Sequence, residues 1–363
     1  MEPEVPTHTP GTPVDGTTTP PVPQPEAEAG PSTTIRQSVI DKWLNPAGPP
    51  KGTSFGARKL QESDDVFSNN AWDHAELPDD FEERAAEIME QHRNSPVPED
   101  KTKEYNGKPA KFWDKFYSNH KDQFFKNRRW LPLEFPELVM CCEPDAGPKL
   151  VLEVGCGAGN TVFPLLMHNE NPDLKIVATD YSAQAVKVVQ SSELYPKAEH
   201  GIGEIRAAVW DITQKPAEGS GVTYALPEGV EPGTVDVLTV VYVLSALHPD
   251  EWKQAVHNLY SALKPGGLLL VRDYGRHDLA QLRIKKQRLL DVPNLYIRGD
   301  GTRVYFFEKE ELGNMLTAAP WGQEEGHMFS IQQLAEDRRL LVNRKEQLKM
   351  YRIWLQVKAT KLA

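Results

Sequence analysis

Cysteine, long apolar runs and early basic residues are all scarce in this chain of 363 residues. The three cysteines, Cys141, Cys142 and Cys156, are too few for a disulfide framework and lack the spacing of a zinc site. No apolar run approaches the roughly 20 residues of a membrane-spanning helix. The first basic residue is Arg36, so neither a secretory signal nor an Arg-rich transit peptide is predicted. These absences predict a cytoplasmic protein with reduced thiols, no bound metal and no membrane partner.

The net charge of −11 belongs entirely to residues 1–105. That segment holds 20 Asp and Glu against 9 Lys and Arg, whereas residues 106–363 are electrically balanced. The overall acidity therefore does not exclude a nucleic-acid partner for the larger part of the chain.

Composition divides the chain into four predicted regions. Residues 1–30 contain eight Pro and six Thr and are predicted to be disordered. Residues 31–105 are predicted to form an acidic, partly ordered extension, in which only 79–93 has a clear helical pattern. Residues 106–148 carry aromatic and basic side chains at helical spacing and predict a helical cap. Residues 149–363 are predicted to form the main domain.

The main domain is organised around residues 149–160, which read KLVLEVGCGAGN. The apolar half of this stretch is typical of a strand buried on both faces. Gly155, Gly157 and Gly159 then allow a tight turn in which the backbone approaches a ligand closely. A helix is predicted to follow, and a strand, glycine turn and helix together hold a nucleotide-like ligand against the helix N-terminus.

The glycine spacing and one acidic residue indicate the kind of ligand. The pattern is Gly-x-Gly-x-Gly rather than the Gly-x-Gly-x-x-Gly of dinucleotide-binding folds. Glu153 lies two residues before the first glycine, where a carboxylate would repel a pyrophosphate but not a cationic amino-acid group. The sequence therefore favours S-adenosylmethionine over NAD.

Strand and helix patterns alternate through the rest of the chain. Strands are predicted at 174–180, 205–210, 235–244, 268–272 and 351–357, and helices at 182–191 and 249–263. The last strand alternates apolar and polar residues and is predicted to pair antiparallel with a strand within 326–335. The predicted fold is α/β, a three-layer sandwich around a mostly parallel seven-stranded sheet, with a C-terminal antiparallel hairpin and the N-terminal helical cap.

Three of the predicted strands end in residues that fit one ligand, at the carboxyl ends where such sheets bind ligands. Asp180 lies 25 residues after Gly155, where a carboxylate can accept both ribose hydroxyls. Asp211 and Ile212 follow the third strand and could bind the amino group and the face of an adenine. The end of the fourth strand, residues 240–244, is expected beside the sulfonium and the methyl group.

Eight short motifs occur together in this chain. They are FWDKFY (112–117), FFKNRRW (124–130), EFPEL (134–138), EVGCGAGN (153–160), VLSALHP (243–249), LKPGG (263–267), RDYG (272–275) and DGTRVYFF (300–307). With them, the chain resembles the class I Rossmann-like methyltransferases that form 3-methylcytidine in tRNA anticodon loops. FGARK (55–59) and VFSNNAWDH (66–74) further resemble the branch of that family that acts on threonine tRNAs.

The resemblance implies S-adenosylmethionine as the cofactor and methylation of cytidine N3 in the anticodon loop of tRNA. Position 32 and threonine tRNA are the implied first targets, and a protein partner such as an aminoacyl-tRNA synthetase stays open. Carried over by position, the implied cofactor contacts are Trp113, Tyr117, Gly155, Gly157, Asp180, Asp211, Ile212 and Val241.

The chemistry of the target atom predicts which catalytic groups are needed. Cytosine N3 carries an in-plane lone pair and no proton, so its methylation requires no general base. Because methylation places positive charge on the ring, we expect a carboxylate and alignment of the base instead. Asp273 is the candidate carboxylate, Tyr274 could stack on or orient the base, and Arg272 could fix the acid. An internal ion pair of Arg272 with Asp273, without a catalytic role, is the alternative.

Basic residues predict where RNA phosphates bind, although each cluster could instead be a solvated face. They are Lys126, Arg128, Arg129, Lys285, Lys286, Arg288, Arg298 and Arg303. Two other functions stay open. A protein or small-molecule methyltransferase would keep its activity when these clusters are reversed in charge. A catalytically silent methyltransferase-like subunit that presents tRNA to a partner would need a damaged cofactor site.

Overall fold

The computed structural model describes residues 43, 58–120, 128, 130–195, 203–320, 322–323 and 325–363. The predicted tail at 1–30 and much of the predicted extension at 31–105 lie outside these residues. No helix among the described residues is both long enough and apolar enough to cross a membrane.

In the part of the chain that the structure describes, ten strands form two sheets. In chain order they are β1 (Ala71–Asp73), β2 (Lys149–Val154), β3 (Leu174–Asp180), β4 (Glu204–Val209), β5 (Val235–Val241), β6 (Leu263–Tyr274), β7 (Leu295–Ile297), β8 (Arg303–Tyr305), β9 (Phe329–Asn343) and β10 (Leu348–Lys361). The main sheet has the order β1-β9-β10-β6-β5-β2-β3-β4, and β7 and β8 pair separately. In this order, the five strands β6, β5, β2, β3 and β4 run parallel to one another. Strands β10, β9 and β1 each pair antiparallel with their neighbours.

Ten α-helices accompany the strands in the described residues. They are α1 (Phe81–Arg93), α2 (Glu99–Gly107), α3 (Pro109–His120), α4 (Leu131–Glu134), α5 (Pro136–Val139), α6 (Val162–Met167), α7 (Ala183–Gln190), α8 (Pro249–Ala262), α9 (Leu279–Leu282) and α10 (Lys309–Thr317). The helix predicted at 79–93 is present as α1, and the aromatic stretch of the predicted cap forms α3.

The central strands are buried on both faces, which explains their unbroken apolar sequences. Along β2, Val151 packs into one apolar cluster and Leu152 into the other. Helix α8 covers the Leu152 side with Leu259, and α7 covers the Val151 side with Val189. The predicted three-layer α/β sandwich with a C-terminal antiparallel hairpin is confirmed.

The sheet has eight strands rather than the predicted seven, because residues of the N-terminal extension join it. β1 pairs antiparallel with β9, placing Ala71 opposite Leu341, and buries Trp72 against Leu340. This strand covers backbone groups that β9 would otherwise leave unpaired at the edge of the sheet. Three residues are too short for an alternating pattern to reveal such a strand in the sequence.

The order of the strands reverses at β2, since β3 lies on one side of it and β5 on the other. Val154, at the end of β2, pairs with Thr179 of β3 and Val240 of β5. The carboxyl ends of these three strands therefore meet at one edge, which is the place where folds of this kind bind ligands.

Candidate active site

The glycine turn after β2 forms the floor of a cavity at this edge, which we call the carboxyl-edge cavity. Gly155 and Gly157 have φ angles of +67° and +54°, a region that side chains disfavour. A Cβ on Gly155 would lie 2.2 Å from Val243 Cγ2, and a Cβ on Gly157 would lie 2.7 Å from Tyr117 Oη. Both positions therefore require glycine, because the backbone conformation and the space exclude a side chain.

Asp180 ties the glycine turn to the start of α7. Its carboxylate accepts hydrogen bonds from the backbone N–H of Gly157 and of Ser182, both at 2.9 Å. Burial raises the pKa of Asp180 to about 6, the two N–H groups act against this rise, and the nearby Asp114 adds to it. The result is an acid of fixed orientation in the wall of the cavity.

Helix α3 covers the cavity with two aromatic side chains. Trp113 and Tyr117 lie one turn apart on the helix, and their ring centroids are 6.1 Å apart. Between them in the sequence, Asp114 Oδ1 accepts hydrogen bonds from Ser182 Oγ at 2.6 Å and from the N–H of Gln184 at 3.2 Å. The cap predicted for this segment is therefore fastened to the N-terminus of α7.

The residues after β4 form the far end of the cavity. The Asp211 carboxylate accepts hydrogen bonds from the N–H and the hydroxyl of Thr213 at 2.8 and 2.6 Å, which fix its orientation. Ile212 is buried beside it. This arrangement offers a hydrogen-bond acceptor next to an apolar surface, which suits a purine ring with an amino group.

Six of the eight predicted cofactor residues line one cavity: Trp113, Tyr117, Gly155, Asp180, Asp211 and Ile212. Gly157 lies directly beneath Tyr117. Val241 does not line the cavity, since its side chain is 3% exposed and belongs to the apolar core. The next two residues, Tyr242 and Val243, line the cavity in its place, because the open edge begins beyond the last residue of the strand.

Arg303, predicted as a phosphate contact, belongs to the wall of the cavity. Its side chain is only 3% exposed. Nε donates to the carbonyl oxygen of Ala246 at 3.1 Å, and Nη2 donates to the Glu251 carboxylate at 2.9 Å. Arg303 thus joins the β7–β8 hairpin to the turn after β5. Sequence reasoning missed both this role and Glu251, because the partners are about 50 residues apart and no local pattern relates them.

Arg128 also differs from its prediction as a phosphate contact. Its guanidinium donates to Thr161 Oγ1 at 2.6 Å and lies 3.4 Å from the Glu153 carboxylate. Burial raises the pKa of Glu153 to about 7, and the nearby Arg128 opposes this rise. Arg128 therefore neutralises an acid beneath the glycine turn. Lys126 and Arg129, which were predicted with it, lie outside the described residues.

Four of the predicted RNA contacts lie near the β7–β8 hairpin. Lys285 and Lys286 are exposed. Arg288 donates to the carbonyl oxygen of Arg298 at 3.2 Å, and the Arg298 guanidinium lies 5.3 Å from the ring centre of Tyr274. These four cations therefore form one basic surface, which reaches the aromatic side chain at the end of β6.

Arg272 and Asp273 point to opposite faces of β6, so the expected contact between them is wrong. The reason is that successive residues of a strand alternate between its faces. Asp273 is fully buried and accepts hydrogen bonds from the N–H groups of Ser245 at 3.0 Å and of Tyr274 at 2.9 Å. Burial raises the pKa of Asp273 to about 6. Arg272 instead pairs with Asp337, so the alternative of an Arg272–Asp273 ion pair is wrong as well.

Tyr274 lies at the end of β6 beside Tyr242, which belongs to the segment 240–244 that the sequence placed beside the methyl group. Their ring centres are 4.8 Å apart with an angle of 35° between the planes. Tyr242 lines the cavity and has a φ of +61°, an unusual value for a residue with a side chain. The cavity and the partly exposed Tyr274 are therefore connected by aromatic surface.

The arrangement agrees with comparisons to known proteins. Residues 152–269 match a family model described as a methyltransferase domain. The chain is 46% identical over 303 residues to a Saccharomyces cerevisiae protein, the tRNA(Thr) (cytosine(32)-N(3))-methyltransferase; the match covers 83% of this chain and 45% of that protein. It is also 46% identical to a tRNA N(3)-methylcytidine methyltransferase of Schizosaccharomyces pombe, covering 85% of this chain and 92% of the relative. A Drosophila melanogaster protein with the same description is 37% identical, with coverages of 90% and 94%.

Proposed function

The chain belongs to the tRNA N3-methylcytidine methyltransferases, and we propose that it methylates N3 of cytidine in a tRNA anticodon loop, at position 32 of threonine tRNA first. The methyl donor is S-adenosylmethionine. One observation supports the proposal most directly: Trp113, Asp180 and Asp211, which come from three separate segments of the chain, line one cavity at the carboxyl edge of the sheet.

The residues of the cavity fit S-adenosylmethionine. Asp180 is held by two backbone N–H groups, so its carboxylate is oriented to accept the ribose hydroxyls. Asp211 would accept a hydrogen bond from the adenine amino group, and Ile212 would pack against the ring. Trp113 and Tyr117 would cover the ligand from the cap and exclude water. When bound, the cofactor supplies an electrophilic methyl group.

The chain contributes alignment rather than a general base, because cytosine N3 already has a free lone pair. Asp273 has a positioning role in this proposal, since it is fully buried and binds the backbone of Ser245. That residue belongs to the turn Leu244–Ala246, whose last residue lines the cavity. Tyr274 lies nearer the surface and is placed to contact the base.

The tRNA binds over the basic surface of Lys285, Lys286, Arg288 and Arg298. Phosphate contacts of this kind fix the position of an RNA, and a base of the anticodon loop can then leave its stack at a modest cost in free energy. Arg298 lies over Tyr274, so phosphate binding and base binding occur next to each other.

A cytoplasmic location belongs to the same proposal, because Cys141, Cys142 and Cys156 are buried, reduced thiols. A protein partner such as an aminoacyl-tRNA synthetase is a separate proposal. Co-purification of the full chain with threonyl-tRNA synthetase, with and without tRNA, tests that partner. Absence of a complex under both conditions would remove it.

The proposed reaction is tested with purified protein, labelled S-adenosylmethionine and a panel of unmodified and cellular tRNAs. Nucleoside digestion locates the label, and Asp180→Ala is the control. We expect label in 3-methylcytidine and its loss in the variant. Cofactor binding without transfer to any tRNA would overturn the proposal for the isolated chain, and absence of binding would support the silent-subunit function. A protein methyltransferase would be supported if the label appeared in protein and its amount did not change when Lys285 and Lys286 were replaced by Glu.

A further inference from the structure

Tyr242 occupies a strained position at the edge of the cavity. Its φ of +61° lies in the left-handed region, which a bulky side chain adopts only where its surroundings impose it. The backbone N–H of Tyr242 donates to the carbonyl oxygen of Arg272 at 2.8 Å. Burial raises the pKa of Tyr242 to about 12, although the positive charge of the nearby Arg272 guanidinium acts in the opposite direction. Arg272 therefore binds the backbone of this residue, and its guanidinium lies near the side chain.

Arg272 is itself held from several sides. Its side chain is 2% exposed and lies between two indole rings, 4.9 Å from the ring centre of Trp130 and 5.1 Å from that of Trp354. Nη1 donates to Gln356 Oε1 at 2.7 Å, and Asp337 balances the charge. The β9–β10 hairpin thus fixes Arg272, whose carbonyl oxygen binds the backbone N–H of Tyr242.

Tyr242 and Tyr274 form an aromatic wall that leads from the cavity to the surface. The ring centres are 4.8 Å apart, and Tyr274 is partly exposed. Tyr242 is the member of the wall that lines the cavity, and it lies at the end of β5 next to Val243, which contacts the glycine turn. The wall therefore borders the place where a base must enter to reach the methyl group.

The positive charge of the product needs stabilisation, and the acids near this place already bind other groups: Asp211 accepts hydrogen bonds from Thr213, and Glu251 binds Arg303. Asp273, the carboxylate expected there, is fully buried and bonded to Ser245 and Tyr274. Asp180 is bound by Gly157 and Ser182, at the glycine turn. An aromatic face attracts a cation through its quadrupole, and this attraction increases when the site excludes water.

We propose that the target cytosine lies against Tyr242, whose ring stabilises the positive charge that methylation places on the base. In the reaction, the N3 lone pair forms the new N–C bond as the C–S bond breaks. Sulfur takes the bonding electron pair, and the charge passes from the sulfonium to the cytosine ring. Arg272 is a positioning residue that acts through Tyr242. This inference rests on the proposed function, since it assigns the acceptor side of that site.

The first test compares Tyr242→Phe with Tyr242→Leu in single-turnover transfer to a tRNA that the wild-type protein methylates. Phenylalanine keeps the aromatic face, so we expect a transfer rate within about fivefold of wild type, whereas leucine removes the face and is expected to slow transfer at least about tenfold. Cofactor affinity, measured by calorimetry, corrects for changes in binding. Equal rates in the two variants, after this correction, would overturn the proposal.

The second test varies the ring without changing its shape. Phenylalanine analogues with one, two and three fluorines at position 242 weaken the negative face of the ring step by step. We expect the logarithm of the transfer rate to fall steadily, by about tenfold over the series. The matched control is the same series at Tyr260, which packs against Phe329 away from the cavity and is expected to change nothing. A flat series at 242 with an active wild-type protein would overturn this inference alone, whereas an inactive wild-type protein would count against the proposed function.

Discussion

The Asp114 carboxylate accepts a hydrogen bond from the Ser182 hydroxyl at 2.6 Å, and this contact joins the cap helix α3 to the edge of the sheet. Asp114 also accepts the N–H of Gln184, so it places negative charge at the N-terminus of α7. The neighbouring residue Trp113 and, one turn further, Tyr117 line the cavity. Asp114 therefore supplies the polar contacts that hold this part of the cap, beside the apolar packing of Phe116 and Tyr117 on Ala185.

Removal of this contact is expected to weaken cofactor binding. In Asp114→Ala, the cap loses its attachment to α7, and we expect the affinity for S-adenosylmethionine to fall by about tenfold, the effect of one lost charge-assisted hydrogen bond. Calorimetric titration measures the change. Lys115→Ala is the matched control, because this neighbouring side chain is exposed and should leave the affinity unaltered. Equal affinities of Asp114→Ala and wild type would show that the contact does not position the cap.

Cofactor affinity is expected to fall at acidic pH because of Asp180. Burial raises its folded-state pKa to about 6 from a usual value of 3.8. The folded protein without ligand therefore binds this proton more tightly than the unfolded chain, and the contribution of Asp180 to stability decreases as the pH rises from about 4 to about 6. Binding changes in the opposite direction, since the ribose hydroxyls need the ionised acid.

The measurement is a series of calorimetric titrations of the protein with S-adenosylmethionine between pH 5 and pH 8. We expect an affinity about tenfold lower at pH 5 than at pH 8. Asp114 raises the pKa of Asp180, and the buried Glu153 nearby has a pKa of about 7 and titrates in the same pH range. Asp180→Asn is therefore needed as the control. That variant binds more weakly but keeps the titration of the ligand itself. If the affinity of this variant changes with pH as steeply as that of the wild type, the pH dependence does not come from Asp180.

The two exposed lysines near the β7–β8 hairpin are expected to set part of the salt dependence of tRNA binding. Each phosphate contact releases counterions, so Lys285→Ala with Lys286→Ala should reduce the slope of log K against log salt by about 1 for each lysine. Fluorescence anisotropy at several salt concentrations measures the slope. Lys175→Ala serves as the control, because that lysine is exposed near the amino end of β3, opposite the cavity. An unchanged slope in the double variant would place the tRNA elsewhere.

The sequence was sufficient for those parts of the site whose geometry is local. The glycine turn and Asp180 could be predicted because a strand end determines where the following residues lie. Asp211 and Ile212 could be predicted for the same reason. The acids of the cavity therefore followed from the order of strands along the chain, whereas Trp113 and Tyr117 were implied by the resemblance to the family.

The contacts that could not be predicted join segments distant in sequence. Arg128 contacts Glu153 and Arg303 contacts Glu251, and in both cases burial makes an acid the favoured partner of a cation that looked available for phosphate. The surroundings of Asp273 could not be predicted for a different reason. The predicted strand ended at Arg272, whereas β6 continues to Tyr274 and buries Asp273.

The contact between Gly157 and Tyr117 allows a test in which a second substitution restores what the first removes. In Gly157→Ala, the new Cβ would lie 2.7 Å from Tyr117 Oη, so the cap must move and cofactor affinity should fall. Tyr117→Phe removes that oxygen and leaves ring atom Cζ at 3.5 Å, an ordinary contact. We therefore expect the double variant to bind S-adenosylmethionine more tightly than Gly157→Ala alone.

The restoration should be incomplete, because alanine at a φ of +54° still costs about 1–2 kcal/mol of backbone strain. Gly147→Ala separates this strain from the steric effect. Gly147 has a similar φ of +67° but nothing within 4 Å of its Cβ position, so this variant should lose stability without losing cofactor affinity. Calorimetric titration and thermal unfolding of the four variants measure both quantities. If Tyr117→Phe fails to improve binding in the Gly157→Ala background, the cap does not lie over the glycine turn when the cofactor binds.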